Sequence, residues 1–576
     1  MSSAPENPPQ EGEKKMTPSE KKAAEKAAKK AAQDEAKRQE DAAKLAKIAE
    51  AAAKYAHLYG KSTLVQSTTC DTLKITHFAN FTPELIGQSV LVRARVQTSR
   101  KQGSKMCFLV LRETGASLQA LIAASEEVPV EMVAFSASIS CESIVDIRGT
   151  VTKPEKDVES TSLKTFELLV SHIHVISESQ PVLPFQLADA SRRAEAEPAT
   201  PATGESGKKD EKAVIVVNQD TRLNCRWLDL RTPASNAIFK VQSRVCQYFR
   251  EFLITQDFTE IHTPKIIGAA SEGGANVFKV KYFDKDAFLA QSPQLYKQMC
   301  VQGDLPRVFE VGSVFRAENA NTHRHLTEFI GMDIEMVINE HYYEVLNMAE
   351  DLFAYMFSRL AVLPELKAIN EQHPFEPFIY NIADAKVDEL GIGIVEERKE
   401  PTDPYQARIR NRATGVIRMP LPLAIRLLNE NRPEKQIPEN EDMDTESEKA
   451  LGVVMKKRYG VDFYILDRFP ASARPFYTMP CIDDPNFTNS YDLFMRGEEI
   501  SSGAQRIHDP ELLLEVARKK GVDMTPLKDY VDSFRLGAWP HGGFGVGMER
   551  VVMLYLGLKN VRYTSMFPRD PHRVTP

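Results

Sequence analysis

Arg316 and Glu318 stand two residues apart in FRAE, and Phe329, Gly331, Asp333 and Glu335 occupy every second position of EFIGMDIEM. In a β-strand, residues two apart share a face. The spacing therefore predicts a hairpin with Arg316 and Glu318 on its first strand, Arg324 and His325 in the polar loop that starts at Asn319, and the other four on its second strand. Ile330, Met332, Ile334 and Met336 form the oily back. An amphipathic hairpin with a solvated front is one reading. It leaves unexplained an aromatic ring among charges with a glycine beside it. A flat apolar ligand carrying phosphates explains both: the ring stacks, the glycine gives room, and planar guanidinium groups hold phosphate oxygens bidentately.

Three further stretches supply matching chemistry. In HGGFGVGMERVVMLYLGL, Gly543, Gly545 and Gly547 share a strand face and offer a bare floor for a nucleotide. Arg550 then opens a helix, placed to cover the other side of a base and reach a terminal phosphate. In LAQSPQLYKQ, Ser292 and Pro293 start a helix that puts Gln294 and Lys297 on one face. In SSGAQRIHD, Ser502, Ala504, Arg506 and His508 share a strand face. Lys297 and Arg506 together suit a side-chain carboxylate and mismatch a neutral amide. Each feature alone is equally well a surface ion pair or close packing; their combination is the signal.

FRAE, a polar loop and RHLTEF resemble motif 2 of the class II aminoacyl-tRNA synthetases, subclass b. FTEIHTPKI, closing on Pro264, resembles motif 1, and GMER with Arg550 resembles motif 3. QSPQxxKQ and SGAQR resemble the versions found in eukaryotic cytosolic aspartyl-tRNA synthetases. The HGGFG form, with Phe544 where glycine is more usual, is also seen in asparaginyl members and leaves the amino acid open. The resemblance implies a two-step reaction that first joins L-aspartate to ATP as an acyl-adenylate and then moves the aspartyl group to the 3′ end of tRNA-Asp. It implies Arg316 and Arg550 as the catalytic clamps, and ATP contacts from these two with Ala317, Glu318, Arg324, His325, Leu326, Phe329, Glu499, Gly547, Met548 and Glu549. Aspartate contacts are implied for Ser271, Glu272, Gln294, Lys297, Arg316, Asp333, Ser502 and Arg506. Glu499 and Ser502 resemble a Mg²⁺ site bridging ATP phosphates. Three residues of spacing do not share a straight strand face, so a bulge is expected at Ser501. Motif 1 implies a homodimer with Pro264 at its interface.

These residues need a scaffold, and the fold class expected is α+β in several domains. Residues 1–61 open Pro- and Glu-rich and continue as an Ala/Lys/Glu run with a basic surplus, an arm of helix suited to non-specific RNA phosphate contacts. Lysines 15, 22 and 29, and again 30, 37 and 44, recur at seven-residue spacing; a solvated charged helix is the plain alternative. Within 62–186, SVLVRARVQTS, KMCFLVLRE, SLQALIAA, SIVDIRGTV and FELLVSHIHVIS alternate as five strands of an oligonucleotide-binding (OB) β-barrel. By the resemblance, Phe108 stacks on an anticodon base, with Arg100, Gln102, Gln119 and Glu178 around it. Residues 187–218 are a linker with a flexible insertion. Residues 219–576 are the catalytic domain, an antiparallel sheet flanked by helices. Within it 381–418 is expected as a surface insertion, followed by an acidic segment, 438–448, with no assigned role.

Composition narrows the partners. No apolar run is long enough to span a membrane, and acids at Glu6, Glu11 and Glu13 argue against a secretory or mitochondrial leader, so the cytoplasm is expected. Seven cysteines without a CxxC pair read as reduced thiols. With a net charge of −7, RNA contact must come from local patches. Besides an asparaginyl enzyme, a catalytically inactive RNA-binding paralogue and an aspartate amide ligase without RNA remain as alternatives.

Overall fold

The computed structural model describes residues 53–193, 216–269, 277–395 and 402–576, together with helical, exposed residues between Lys26 and Glu50. Lys29, Lys30 and Lys37 are among the latter, whereas residues 15, 22 and 44 lie outside the described set. The chain divides into two compact units, Met1–Leu183 and Pro184–Pro576.

The first unit is a closed barrel. Strands β2 (Ser89–Gln102), β3 (Met106–Glu113) and β4 (Ala116–Ala123) form an antiparallel meander. Strand β6 (Glu167–Ser177) joins β4 in parallel, and β5 (Ile144–Thr152) pairs with both β6 and β2, which closes the ring. All five strands lie where the alternation puts them. Val92, Val96, Leu109, Leu111, Leu118, Ile122 and Ile147 point inward, and the helix Val130–Ser138 adds Met132 and Val133 to the same core. The barrel sheet begins earlier than residue 62, because β1 (Tyr59–Lys61) adds to β6 in parallel. Its far boundary also differs from expectation. Residues 187–193 are no linker: Ala190 O accepts from Gln372 Nε2 at 2.8 Å and Glu371 O from Arg193 Nε at 2.9 Å, inside the second unit.

The second unit is built on a ten-stranded sheet. Its strands are β7 (Thr259–Glu260), β11 (Arg307–Phe315), β12 (Glu328–Val337), β13 (Gly393–Ile394), β14 (Arg408–Ile409), β15 (Ile417–Pro420), β16 (Phe463–Asp467), β17 (Ser490–Met495), β18 (Glu498–Gln505) and β19 (His541–Gly547). Their spatial order is β13-β14-β15-β16-β17-β18-β19-β12-β11-β7. The centre, from β16 to β11, is antiparallel throughout. A small sheet of β8 (Ile266–Ile267), β9 (Lys279–Tyr282) and β10 (Lys285–Leu289) stands apart. Met332, Ile334 and Met336 do form the oily back, packed with Phe544 and Val546 against the helices Pro233–Thr255, Tyr343–Leu360 and Met548–Tyr555.

The described residues of 381–418 are not confined to the surface. Their short strands β13, β14 and β15 extend the sheet, and Ile382, Val387, Ile392, Ala407, Ile409 and Ile417 share a buried core with Leu421, Ile425, Leu451, Tyr464 and Phe494. All seven cysteines are unpaired thiols. No described helix is long and apolar enough to cross a membrane.

Candidate active site

A cavity of about 1300 Å³ opens on the front of the central strands β12, β19 and β18. Arg316, Glu318, Arg324, His325, Leu326, Phe329, Gly331, Asp333, Gln294, Glu499, Ser502, Arg506, Gly547, Glu549 and Arg550 line it, so most of the expected residues converge. Ala317 and Met548 do not line it, and Met548 belongs to the core behind the sheet. Ser271 and Glu272 lie outside the described residues. Pro264 is an exposed loop residue.

One end of the cavity is cationic. Strand β11 ends at Phe315, so Arg316 and Glu318 sit on the segment after the strand and not within it; Arg316 N–H still donates to Thr327 O at 2.9 Å. The Arg316 guanidinium stands 5.6 Å from the Phe329 ring centre. Arg550, in the first turn of the helix Met548–Tyr555, donates from Nη1 to Glu499 O at 2.9 Å and from Nη2 to Arg324 O at 3.3 Å. Burial lowers the Arg550 pKa, and the Arg324 and Arg316 charges push the same way against Glu499. Three crowded guanidinium groups facing one cavity would be relieved by a polyanion. His325 is likewise held low by burial and by Arg550. Glu549 accepts Ile330 N–H at 3.1 Å, and burial pushes its carboxyl up to about 7.

The other end is charge-balanced. The helix Gln294–Gln302 starts after Ser292–Pro293 as its sequence demands, and it buries Gln294, Lys297 and Gln298 on one face. Lys297, only 1% exposed, donates to Asp333 Oδ1 at 3.1 Å, Ile334 O at 3.2 Å and Phe544 O at 3.3 Å. An ammonium has three donors, so Lys297 is satisfied from within the protein and stands behind Asp333. Arg506 donates to Glu335 through Nε at 2.9 Å and through Nη2 at 3.2 Å; Nη2 also reaches Gly543 O at 2.9 Å and Gln294 Oε1 at 3.3 Å. The Arg506 bonds to the protein thus run through Nε and Nη2, and among the described residues Gln294 Nε2 is buried without a partner. Burial would raise the Glu335 carboxyl, yet the Arg506 and Lys297 cations outweigh it and hold it low. Two cations with two buried carboxylates replace the doubly cationic pocket expected from sequence.

This balance also redefines the glycines. Gly543 pairs with Glu335, Gly545 with Asp333 and Gly547 with Gly331. A Cβ on Gly543 would stand 2.4 Å from Glu335 Oε2, and one on Gly545 would stand 2.6 Å from Asp333 Oδ1. The first two glycines therefore make room for carboxylates, and Gly547 alone leaves bare floor, 3.8 Å from Phe329. Phe544 points the other way, fully buried in the core.

The oxygen-rich edge lies between β17 and β18. A register shift makes Ile500, not Ser501, the extra residue: Leu493 pairs with Ser501 and Phe494 with Glu499. The bulge puts Glu499 and Ser502 on the same wall, one residue from the expected place. Sequence reading missed two partners there. Asp492 lies opposite Ser502, and Arg474 bonds both Asp492 oxygens at 2.9 and 2.6 Å and Ser502 Oγ at 2.5 Å. Burial and the Glu499 charge push Asp492 up to about 7, against Arg474. A hydroxyl and two carboxylates are hard oxygen donors of the type Mg²⁺ takes, with phosphate oxygens completing the shell. Among the described residues, no cluster of three or more His, Cys, Asp or Glu side chains makes a metal cage unaided.

On the barrel unit, Phe108 faces outward between buried Cys107 and Leu109, with Arg100 opposite and its guanidinium 5.1 Å from the ring centre. Gln102 ends the same strand, and Gln119 on β4 donates to Glu167 at 2.6 Å. Glu178, just past β6, bonds Lys61 at 2.5 Å.

A family model for class II tRNA synthetases (D, K and N) matches residues 218–571. The chain is 47% identical over 536 residues to the cytoplasmic aspartate–tRNA ligase of Homo sapiens, covering 92% of this chain and 98% of that one. An aspartyl-tRNA synthetase structure from Entamoeba histolytica superposes with a TM-score of 0.75 at 43% identity, over 90% of this chain and 96% of that one. The asparaginyl-tRNA synthetase of Pyrococcus horikoshii, complexed with asparaginyl-adenylate, is more distant: TM-score 0.69 and 26% identity, over 88% of this chain and 100% of that one.

Proposed function

The chain belongs to the class II tRNA synthetases of the D, K and N group and carries aspartate–tRNA ligase activity; from that premise we propose which residues perform each step. ATP lies with its adenine between Phe329 and Arg550, over the bare floor at Gly547, and its phosphates among Arg316, Arg324 and Arg550. The aspartate α-carboxylate attacks the α-phosphorus; a new acyl–oxygen–phosphorus bond forms and pyrophosphate leaves. Little proton transfer is required, so positioning and charge carry the step. Arg316 clamps the α-phosphate as charge builds there. Glu499 and Ser502, joined by Asp492, would hold Mg²⁺, which supplies charge neutralisation at the phosphates. A 3′-terminal hydroxyl of tRNA-Asp then attacks the acyl carbon, and AMP departs.

The observation carrying the amino-acid assignment is the edge of the Arg506 guanidinium that lines the cavity beside Gln294, its bonds to the protein running through Nε and Nη2. Arg506 is locked by Glu335, so it offers donors in a fixed orientation and no acceptor. A carboxylate satisfies that edge; an amide turns its own NH₂ toward N–H groups. Phe544 is buried in the core, so the HGGFG form bears on packing and not on this choice.

We read the closed barrel as an OB-fold and assign Phe108, Arg100, Gln102 and Gln119 to the anticodon, with Glu178 at the margin of that face. The basic arm before residue 62 adds phosphate contacts. Exposed Ile254, Pro264 and Ile266 around the motif 1 segment suit a homodimer interface, and the cytoplasm is the compartment we assign. Pyrophosphate exchange with aspartate, asparagine and lysine, followed by charging of tRNA-Asp, tests the reading. Exchange with aspartate alone is expected; equal exchange with asparagine overturns the pocket assignment.

A further inference from the structure

The acidic segment 438–448 runs into the helix Thr445–Tyr459, and the first turn of that helix bonds Arg324, which lines the cationic end of the cavity. Arg324 Nη2 donates to Thr445 Oγ1 at 2.7 Å, and Nη1 to Glu448 Oε2 at 3.3 Å. Both charged side chains are more than four-fifths buried. The next residue makes a second tie: Lys449 Nζ is 3.4 Å from Glu498, whose other oxygen lies 3.1 Å from His323 Nε2. Across the loop, the backbone is pinned by Arg562, which donates to Thr322 O at 3.0 Å, and by Val561 N–H on His323 O at 2.8 Å, while Arg562 also holds the Asn321 side chain through Oδ1 at 2.6 Å. Arg550 holds Arg324 O from the floor. The loop backbone is thus fixed from one side, and the aim of its arginine from the other.

The geometry points to Thr445 and Glu448 as positioning residues for ATP: they hold the Arg324 guanidinium over the cavity so that it meets the terminal phosphates already oriented. Arginine carries large side-chain entropy, and a partner that fixes its fork beforehand spares the ligand that ordering. Two hydrogen bonds, one to a buried carboxylate, are enough to select one rotamer of a long side chain. Neither residue touches the aspartate end, so the effect is confined to ATP. The inference rests on Arg324 being a phosphate ligand, and its test separates the two claims.

Full-length Arg324→Ala, Glu448→Gln, Glu448→Asp, Thr445→Val and the Arg324→Ala/Glu448→Gln double variant are compared by pyrophosphate exchange and thermal unfolding. Arg324→Ala is expected to raise KM for ATP. Glu448→Gln should raise it about tenfold, the effect of one charge-assisted hydrogen bond, with kcat and KM for aspartate within about twofold. Glu448→Asp should recover part of the loss, and Thr445→Val should raise KM two- to threefold. The double variant should match Arg324→Ala alone, because both changes act through one side chain. If Arg324→Ala raises KM for ATP but Glu448→Gln and Thr445→Val do not, the positioning role is wrong while the phosphate role stands. If Arg324→Ala itself leaves KM unchanged, the phosphate role fails and takes the proposal with it. Additive effects, or parallel changes in kcat and both KM values, would mark Glu448 as a structural residue and overturn the proposal.

Discussion

Gly545 lies directly opposite Asp333 across the β12–β19 pair, and a Cβ there would stand 2.6 Å from Asp333 Oδ1. Asp333 in turn holds Lys297. The glycine therefore makes room for Asp333, at the end of the site proposed above for aspartate and away from the end proposed for the nucleotide. Gly545→Ala should move the Asp333 carboxylate, at about 1–3 kcal/mol for overpacking. We expect KM for aspartate to rise about tenfold or more while KM for ATP changes little. The same substitution at Gly547, where the nearest atoms are 3.8 Å away, should weaken ATP instead. Steady-state pyrophosphate exchange reads both.

Arg316→Ala or Arg550→Ala should lower the rate of adenylate formation about 10²-fold or more, the usual effect of deleting one transition-state donor. Binding of tRNA should persist, since neither side chain belongs to the barrel. Near-normal exchange in either variant would remove that residue from the machinery.

Lys297→Leu leaves Asp333 and Glu335 with one cation between them in a closed site. Breaking a buried pair in this way destabilises by about 3–5 kcal/mol. Aspartate activation should fall steeply, and the gap to asparagine should narrow, chiefly through loss of aspartate. Both substrates are measured on the variant after its melting temperature, and an unchanged aspartate KM would show that Lys297 does not shape the pocket.

His541 is fully buried beneath the site, bonded to Trp539 O and Gln298. Burial depresses its pKa from 6.5 to about 4. The unfolded chain therefore takes up this proton first as pH falls. Stability tied to His541 is complete above about 6.5 and declines between about 6.5 and 4, by roughly 3 kcal/mol. Urea midpoints measured from pH 7 to 4 should fall, and His541→Gln should flatten that slope. A parallel slope in the variant would assign the acid sensitivity elsewhere.

Phe108→Ala should weaken tRNA-Asp binding by roughly 1–3 kcal/mol, the range for one stacked base, and leave exchange untouched. Loss of exchange activity would show that the substitution had damaged more than the outer face of the barrel.

Much of this site was legible along the chain because β12, β18 and β19 carry their chemistry at strand period. The alternation of Phe329, Gly331, Asp333 and Glu335 against Met332, Ile334 and Met336 needs no knowledge of neighbours. What stayed hidden was set by pairing between distant segments. Glu335 was placed on the correct face, yet nothing local says that it locks Arg506. Arg474 and Asp492 reach Ser502 through the β17–β18 register, and Glu448 reaches Arg324 through the packing of a helix whose acidic approach looks solvated. The bulge was expected from the spacing of Glu499 and Ser502, but which residue bulges depends on the partner strand. The strands within 381–418 gave no signal along the chain because β13 and β14 are two residues long, too short for any period to appear.

The position of β19 has a consequence for how the enzyme is made. In space it lies between β18 and β12; in sequence it follows every other strand of the sheet. A ribosome adds roughly 5–20 residues per second, and domains commit to folding as whole units. While β19 is still being synthesised, β7, β11 and β12 can pair, and so can β13 to β18, but the two groups share no edge. Each presents an unpaired strand to the cell, β12 from one and β18 from the other, both bordering the cavity. Nascent chains stalled before residue 541 should therefore be protease-sensitive, unable to bind ATP and prone to chaperone capture through those edges.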